Sequence, residues 1–321
     1  MASEKDDSPT TLVLFGASSL CGEKLLARRP ADRPLLCLSR SWPPGLPQEN
    51  WHRCDLTDLD PLRLAAAADA LPGGPQVWLC LAHLWLLAPF LAALAAHHPA
   101  RLAGLRGVVA CSSSSVITKR FATNRHDRDL VQRLTTAQDS LQTTCATLGV
   151  PLRILAPTLI HGRAPHHRDR NVETLRSLLR RLPVLPLPAT TGLRQPIAAG
   201  DLAAVALAQV EDLLSARAAE LPGRAPGAPG AEGCLLPVGG DETLPYRQLL
   251  ERIQAADPRA ARCRLLPLPS RLFHFLAAPL LLVSPRTFEA VLRLGADLAG
   301  FPSAAERLGR EPRPFRVEAD P

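Results

Sequence analysis

A short apolar run, Thr11–Phe15, ends directly in Gly16-Ala17-Ser18-Ser19-Leu20-Cys21-Gly22, and Gly22–Arg29 then has helical spacing closed by Pro30. A strand that feeds a glycine turn and then a helix constrains the chain more than any other feature. Small residues let the backbone approach a bound pyrophosphate, whose charge is met by the amides and dipole at the helix start. Gly16 and Gly22 stand where the outer glycines of a dinucleotide fingerprint stand, and Ser19 replaces the middle one. The turn therefore predicts dinucleotide binding through Gly16, Ser18, Ser19, Leu20 and Gly22, with a purely structural turn as the alternative.

The pattern repeats. Leu35–Ser39, Val77–Leu81, Gly107–Cys111 and Leu152–Leu155 are further short apolar runs, separated by helix-length segments such as Pro61–Ala70 and Asp127–Leu148. Such alternation predicts βαβ units, hence an α/β fold with a doubly wound, Rossmann-type parallel sheet. Beyond Pro157 the elements are shorter and less regular, and Leu221–Gly233 is a Pro/Gly-rich surface loop. The expected organisation is a disordered leader over 1–10, a dinucleotide-binding domain over 11–157, and a smaller mixed α/β substrate part over 158–321. Residues 194–220 are expected to return and pack on the first domain. Val77–Ala96 has the length of a membrane span, but a buried strand followed by a core helix gives the same hydropathy. Leu272–Val283 is too short to span; it could lie on a membrane surface or pack, and packing is the expectation.

Composition narrows the class. With 46% hydrophobic residues over 321 positions the chain can bury a sizeable core. The net charge is +7, but the arginines are scattered, so nucleic acid is not an expected partner. The densest cluster, Arg163–Arg181 with His161, His166 and His167, reads either as a solvated face or as a site for a phosphate-bearing small molecule. The eight cysteines show no CxxC spacing and lie largely in apolar runs, as buried thiols in a reducing compartment do. The leader has no apolar export segment, so a cytoplasmic protein is expected. No metal site is expected, because the adjacent His166 and His167 lack further ligands.

After the second strand the chain reads Leu38-Ser39-Arg40, with no carboxylate to hold the ribose hydroxyls of NAD. Arg40, with Ser39 as a second donor, instead suits the 2′-phosphate of NADP, so NADP is the preferred expectation over NAD.

These segments resemble the extended short-chain dehydrogenase/reductase superfamily, in particular its NAD-dependent epimerase/dehydratase branch, which includes nucleotide-sugar epimerases. The Gly16–Gly22 turn is similar to that family's GATGFIG. Asp55-Leu56 resembles its adenine-contacting pair, Leu81-Ala82-His83 its LAA segment, and Val109–Val116 its fifth strand, whose catalytic serine matches Ser113. Ala156–Gly162 is similar to RPTxIYG, with Pro157 at the cofactor and His161 in place of tyrosine. Gly192–Asp201 resembles RQPIHVDD, Gly239–Leu244 resembles GGETL, and Ala304–Gly309 resembles the last helix. The resemblance implies a small-molecule, nucleotide-linked substrate and dimerisation through the Asp127–Leu148 helix and its predecessor. Asn171 and Arg194 are the substrate-binding candidates, suited to a diphosphate.

One departure matters. The family's engine is a Tyr-x-x-x-Lys pair, but the one tyrosine, Tyr246, lies in the C-terminal part, and Val131 and Thr135 occupy the aligned helix positions. The resemblance thus implies either an atypical oxidoreductase or epimerase, or a dinucleotide-binding sensor, assembly factor or scaffold without turnover. In the first, Ser113 hydrogen-bonds the reacting hydroxyl and a substitute such as His161, His83, His126 or Lys119 moves the proton.

Overall fold

The computed structural model describes residues 9–122, 124–219, 234–279, 291 and 293–318. The chain divides into two compact units. The first comprises residues 1–113, 132–156 and 203–236, and the second 114–131, 157–202 and 237–321. Residues from 203 are thus grouped with the first unit and 114–131 with the second.

The elements in order are β1 (Thr11–Phe15), α1 (Leu20–Leu26), β2 (Leu35–Ser39), β3 (Trp51–Arg53), α2 (Pro61–Ala70), β4 (Gln76–Cys80), α3 (Leu84–His97), β5 (Leu105–Cys111), α4 (Ser115–Thr118), α5 (Arg125–Thr147) and β6 (Leu152–Pro157). There follow β7 (Ile160–His161), α6 (Arg170–Arg181), β8 (Val184–Pro188), β9 (Leu193–Arg194), β10 (Ile197–Ala198), α7 (Ala199–Ala219), β11 (Leu235–Val238), β12 (Leu244–Pro245), α8 (Tyr246–Ala255), β13 (Arg264–Leu268), α9 (Ser270–Ala277) and α10 (Ala304–Leu308).

The first unit is built on a seven-stranded sheet in the order β11-β6-β5-β4-β1-β2-β3, and every pairing from β6 through β3 is parallel. It is the Rossmann-type sheet the sequence predicts. Strands β1 and β4 are apolar along almost their whole length because helices cover both faces. Val77–Ala96 resolves into β4 and α3, and no helix among the described residues is long and apolar enough to cross a membrane. The core is anchored by Trp78, fully buried, with its ring centroid 4.9 Å from that of Phe15. Its indole N–H donates to Gln76 Oε1 at 2.9 Å, and the Gln76 amide donates to the Arg101 carbonyl at 2.8 Å. Helix α7 is tied into this unit from residue 203 onward, where Leu213 covers Gly107 of β5 and Glu211 pairs with Arg33 at 2.6 Å.

The second unit holds three two-stranded pairs, β10-β7 and β13-β8 parallel and β12-β9 antiparallel. Helices α6 and α8 and the segment around Phe315 enclose its core, which includes Leu179, Leu187, Leu249 and Ile253. One expectation fails here. Leu272, Phe275 and Leu276 of α9 are exposed rather than packed, because this short helix buries only Phe273 and Ala277. Residues 280–283 lie outside the described residues.

Candidate functional site

The glycine turn sits at the centre of the sheet. Strand β1 has β2 and β3 on one side and β4 and β5 on the other, so the strand order reverses beside it, which is where open α/β sheets bind ligands. Gly16 has φ +81°, and a side-chain carbon there would lie 2.6 Å from the Ala82 amide nitrogen. The turn is thus pressed against Leu81 and Ala82 at the end of β4. Ser19 caps α1, its hydroxyl accepting from the Gly22 amide at 3.1 Å and donating to the Gly16 carbonyl at 2.8 Å. The serine that replaces the middle glycine is therefore turned inward, and its hydroxyl is engaged by the turn's own backbone. Gly22 is required for packing, since a Cβ there would meet the Gly16 and Ala17 carbonyl oxygens at 2.4 and 2.5 Å. The residues present suit a pyrophosphate, because Gly16, Ala17, Ser18 and Ser19 are small and the turn leads straight into the N-terminus of α1.

At the end of β2, Ser39 is buried, and its hydroxyl donates to the Ser41 carbonyl at 2.7 Å and accepts from the Trp51 indole at 3.0 Å. Arg40, next in the chain, is exposed. Asp55, after β3, accepts from the Thr57 amide and hydroxyl at 3.0 and 2.8 Å. The Thr57 bonds, aided by the nearby Arg40 and Arg53 charges, hold its carboxyl below the usual range. Leu56 beside it is buried. The first unit therefore gathers the turn, Leu81-Ala82, Ser39-Arg40 and Asp55-Leu56 at the C-terminal ends of β1 to β4.

Ser113 follows β5 and is half-buried. Of the preceding residue, the Ser112 amide donates to the Leu155 carbonyl at 2.7 Å, and its hydroxyl accepts from the Gln138 amide at 2.7 Å. Gln138 was not foreseen. It lies on the α5 stripe of Leu134, Ala137 and Leu141, all buried, and a polar residue on the apolar face of an amphipathic helix is the signal that would have found it. Val131 is half-buried and Thr135 exposed.

In the second unit His161 lies on β7, 8% exposed, with Phe315 edge-on at 4.6 Å. Burial pushes its pKa down to about 4. It opens on a pocket shared with Arg163, Asp169, Glu173 and Arg176. Asp169 caps α6 by accepting from Val172 at 2.6 Å and also accepts from the Gly162 amide at 3.1 Å. Glu173 meets Arg176 at 2.7 Å and Arg163 at 3.4 Å. The folded imidazole stays neutral where the unfolded one is protonated. Stability should therefore fall as the pH drops from 6.5 toward about 4, by ~3 kcal/mol over that window. The slope should flatten in His161→Gln, and urea unfolding at several pH values would refute the assignment by returning the wild-type slope.

The other candidates are placed differently. Asn171 is exposed and its amide donates to the Ile160 carbonyl at 2.9 Å. Arg194 is buried under the Tyr246 ring, its guanidinium donating to the Leu193, Ala296 and Arg293 carbonyls at 2.8, 2.7 and 2.6 Å. Those bonds give it the work of tying 293–296 to β9. Pro157 closes β6 and its carbonyl accepts from Ser114 at 2.9 Å. His83 is exposed and stacks on Trp85 at 4.4 Å, and His126 is exposed at the start of α5. Lys119 pairs at 2.8 Å with the buried Asp127, which also bonds Asn124 and Arg293. Of the sequence's proton-transfer candidates, His161 lines a pocket.

A parallel sheet with a glycine turn at its switch point is a Rossmann-type α/β fold. Solved structures that share this fold include 4-epimerases of UDP-sugars. A UDP-glucose 4-epimerase from Brucella ovis in complex with NAD aligns over 95% of this chain and 94% of its own, with TM-score 0.58 and 13% identity. MoeE5 in complex with UDP-glucose and NAD aligns over 95% and 94%, with TM-score 0.56 and 16% identity. A UDP-N-acetylglucosamine 4-epimerase from Bacillus cereus aligns over 82% and 88%, with TM-score 0.53 and 11% identity. At these identities the likeness is one of fold. No protein-family profile and no curated protein matches the sequence.

Proposed function

We propose that the first unit binds a nicotinamide dinucleotide, NADP in preference to NAD, and that the protein is an atypical oxidoreductase or epimerase acting on a nucleotide-sugar-like or other polar substrate. The observation that carries this reading is the tightly packed glycine turn at the switch point of the sheet. The solved structures in complex with NAD and UDP-glucose are consistent with it. Gly16, Ser18, Ser19, Leu20 and Gly22 would hold the pyrophosphate, Asp55 and Leu56 the adenine, and Leu81, Ala82 and Pro157 the remaining length of the dinucleotide. The bound nicotinamide would supply a hydride acceptor or donor. Ser113 in the first unit is the candidate to hydrogen-bond a reacting hydroxyl, and His161 in the second unit is by itself a neutral imidazole able to accept a proton. Asn171 offers an exposed amide to a polar substrate, and Arg194 supports that region through the backbone it holds.

Arg40 carries the cofactor preference, because it is exposed and the one nearby carboxylate, Asp55, is taken up by Thr57. Arg40→Ala should weaken NADP binding about tenfold, the loss of one charge-assisted phosphate contact, and leave NAD binding nearly unchanged. An equal loss for both would remove Arg40 from the 2′-phosphate.

A second reading, a dinucleotide-binding sensor, assembly factor or scaffold without turnover, is favoured by α5. Val131, Thr135 and the Gln138 that meets Ser112 cannot titrate near neutral pH. Reduction of oxidised cofactor by a bound nucleotide sugar, or interconversion of the sugar's epimers, abolished by His161→Gln, would decide for the enzyme.

A further inference from the structure

Five of the twelve large apolar residues exposed among the described residues lie on three neighbouring elements: Val184 on β8, Leu266 on β13, and Leu272, Phe275 and Leu276 on α9. Helix α9 is apolar on two sides. Phe273 and Ala277 face the core, while Leu272, Phe275 and Leu276, spaced i, i+3 and i+4, are 45%, 76% and 59% exposed. In the β13-β8 pair Arg264 is in register with Val184 and Leu266 with Pro186, and all four are exposed.

The sequence of these elements and their flanks carries charge of one sign. From Thr174 to Gly200, which contains β8, and from Pro258 to Pro279, which contains β13 and α9, the sequence has no Asp or Glu. Exposed arginines stand in both stretches, Arg181 ahead of β8, Arg259 and Arg262 ahead of β13, Arg264 on β13, and Arg271 on α9. Asp257, the acid that precedes the second stretch, is buried against Arg180 at 2.6 Å. Exposed apolar side chains flanked by arginine, in two stretches that themselves carry no carboxylate, are complementary to an interface that is hydrocarbon within and anionic at its surface.

We propose that β8, β13 and α9 form a docking face for an anionic lipid surface, with Leu272, Phe275 and Leu276 entering the headgroup boundary and the arginines pairing with lipid phosphates. The protein would rest on the bilayer rather than cross it.

The full-length chain, sedimented with phosphatidylcholine vesicles containing phosphatidylglycerol, should bind more tightly than to phosphatidylcholine alone, and less tightly as salt rises. Phe275→Glu should lower that partitioning at least about tenfold, and Leu272→Glu should lower it as well. Both positions are exposed, so the urea midpoints should match the wild type. Absent binding, equal binding to both vesicles, or wild-type binding by both variants overturns the proposal. An oligomer that dissociates in Phe275→Glu while vesicles fail to bind would also overturn it, by giving the face to a second copy of this chain.

Discussion

Gly22→Ala should lower dinucleotide affinity on the order of a hundredfold. The added carbon would stand 2.4 Å from the Gly16 oxygen, 2.5 Å from the Ala17 oxygen and 2.7 Å from the Ala17 carbonyl carbon, all backbone atoms with no side chain to rotate away. Relief requires moving either the turn or α1, and the turn is held from the other side by Leu81 and Ala82. The displacement would also break the Ser19 cap, whose two hydrogen bonds end on Gly16 and Gly22. Gly73→Ala is the matched control, because a Cβ there meets nothing within 4 Å. Calorimetric titration of the two variants should show loss for the first and wild-type binding for the second. An unchanged dissociation constant for Gly22→Ala would mean that the turn does not hold the ligand.

The largest expected loss of stability belongs to Trp78→Ala, about 4–5 kcal/mol by equilibrium urea unfolding. The ring is fully buried on a central strand, against Phe15, so its removal leaves a cavity that neighbours on a regular sheet cannot close. It also removes the donor that satisfies Gln76 Oε1, in a glutamine that is itself fully buried. Trp78→Phe should cost less, since it keeps most of the packing and loses the hydrogen bond. A loss under about 1 kcal/mol for Trp78→Ala would contradict this packing account.

The strands that carry the candidate cofactor site were legible because a parallel sheet buried on both faces demands continuous apolar runs, and β1, β2, β4 and β5 are such runs. The edge strand β3 was not, since Trp51-His52-Arg53 is short, polar and half-exposed. The glycine turn was legible as a motif, but the inward bonding of Ser19 depends on local geometry that residue type alone does not specify. Arg194 read as a substrate ligand because charge was visible while its carbonyl partners near Ala296 lay far along the chain. Grouping of 114–131 with the second unit escaped for the same reason: buried Asp127 is paired with Arg293, and no local pattern announces a contact of that range. Exposure of Phe275 was hidden because an apolar run reads as core unless the opposite face of the helix is known to be covered.

The central claim, a dinucleotide held at the switch point of the first unit, is tested most directly by calorimetric titration of the purified protein with NAD, NADH, NADP and NADPH, followed in the same cell by UDP-sugars. Saturable binding, tighter for the NADP forms, with a UDP-sugar then binding more tightly to the loaded protein than to the free one, is the predicted result. Absence of heat with all four dinucleotides would contradict the claim and reduce the glycine turn to a structural device.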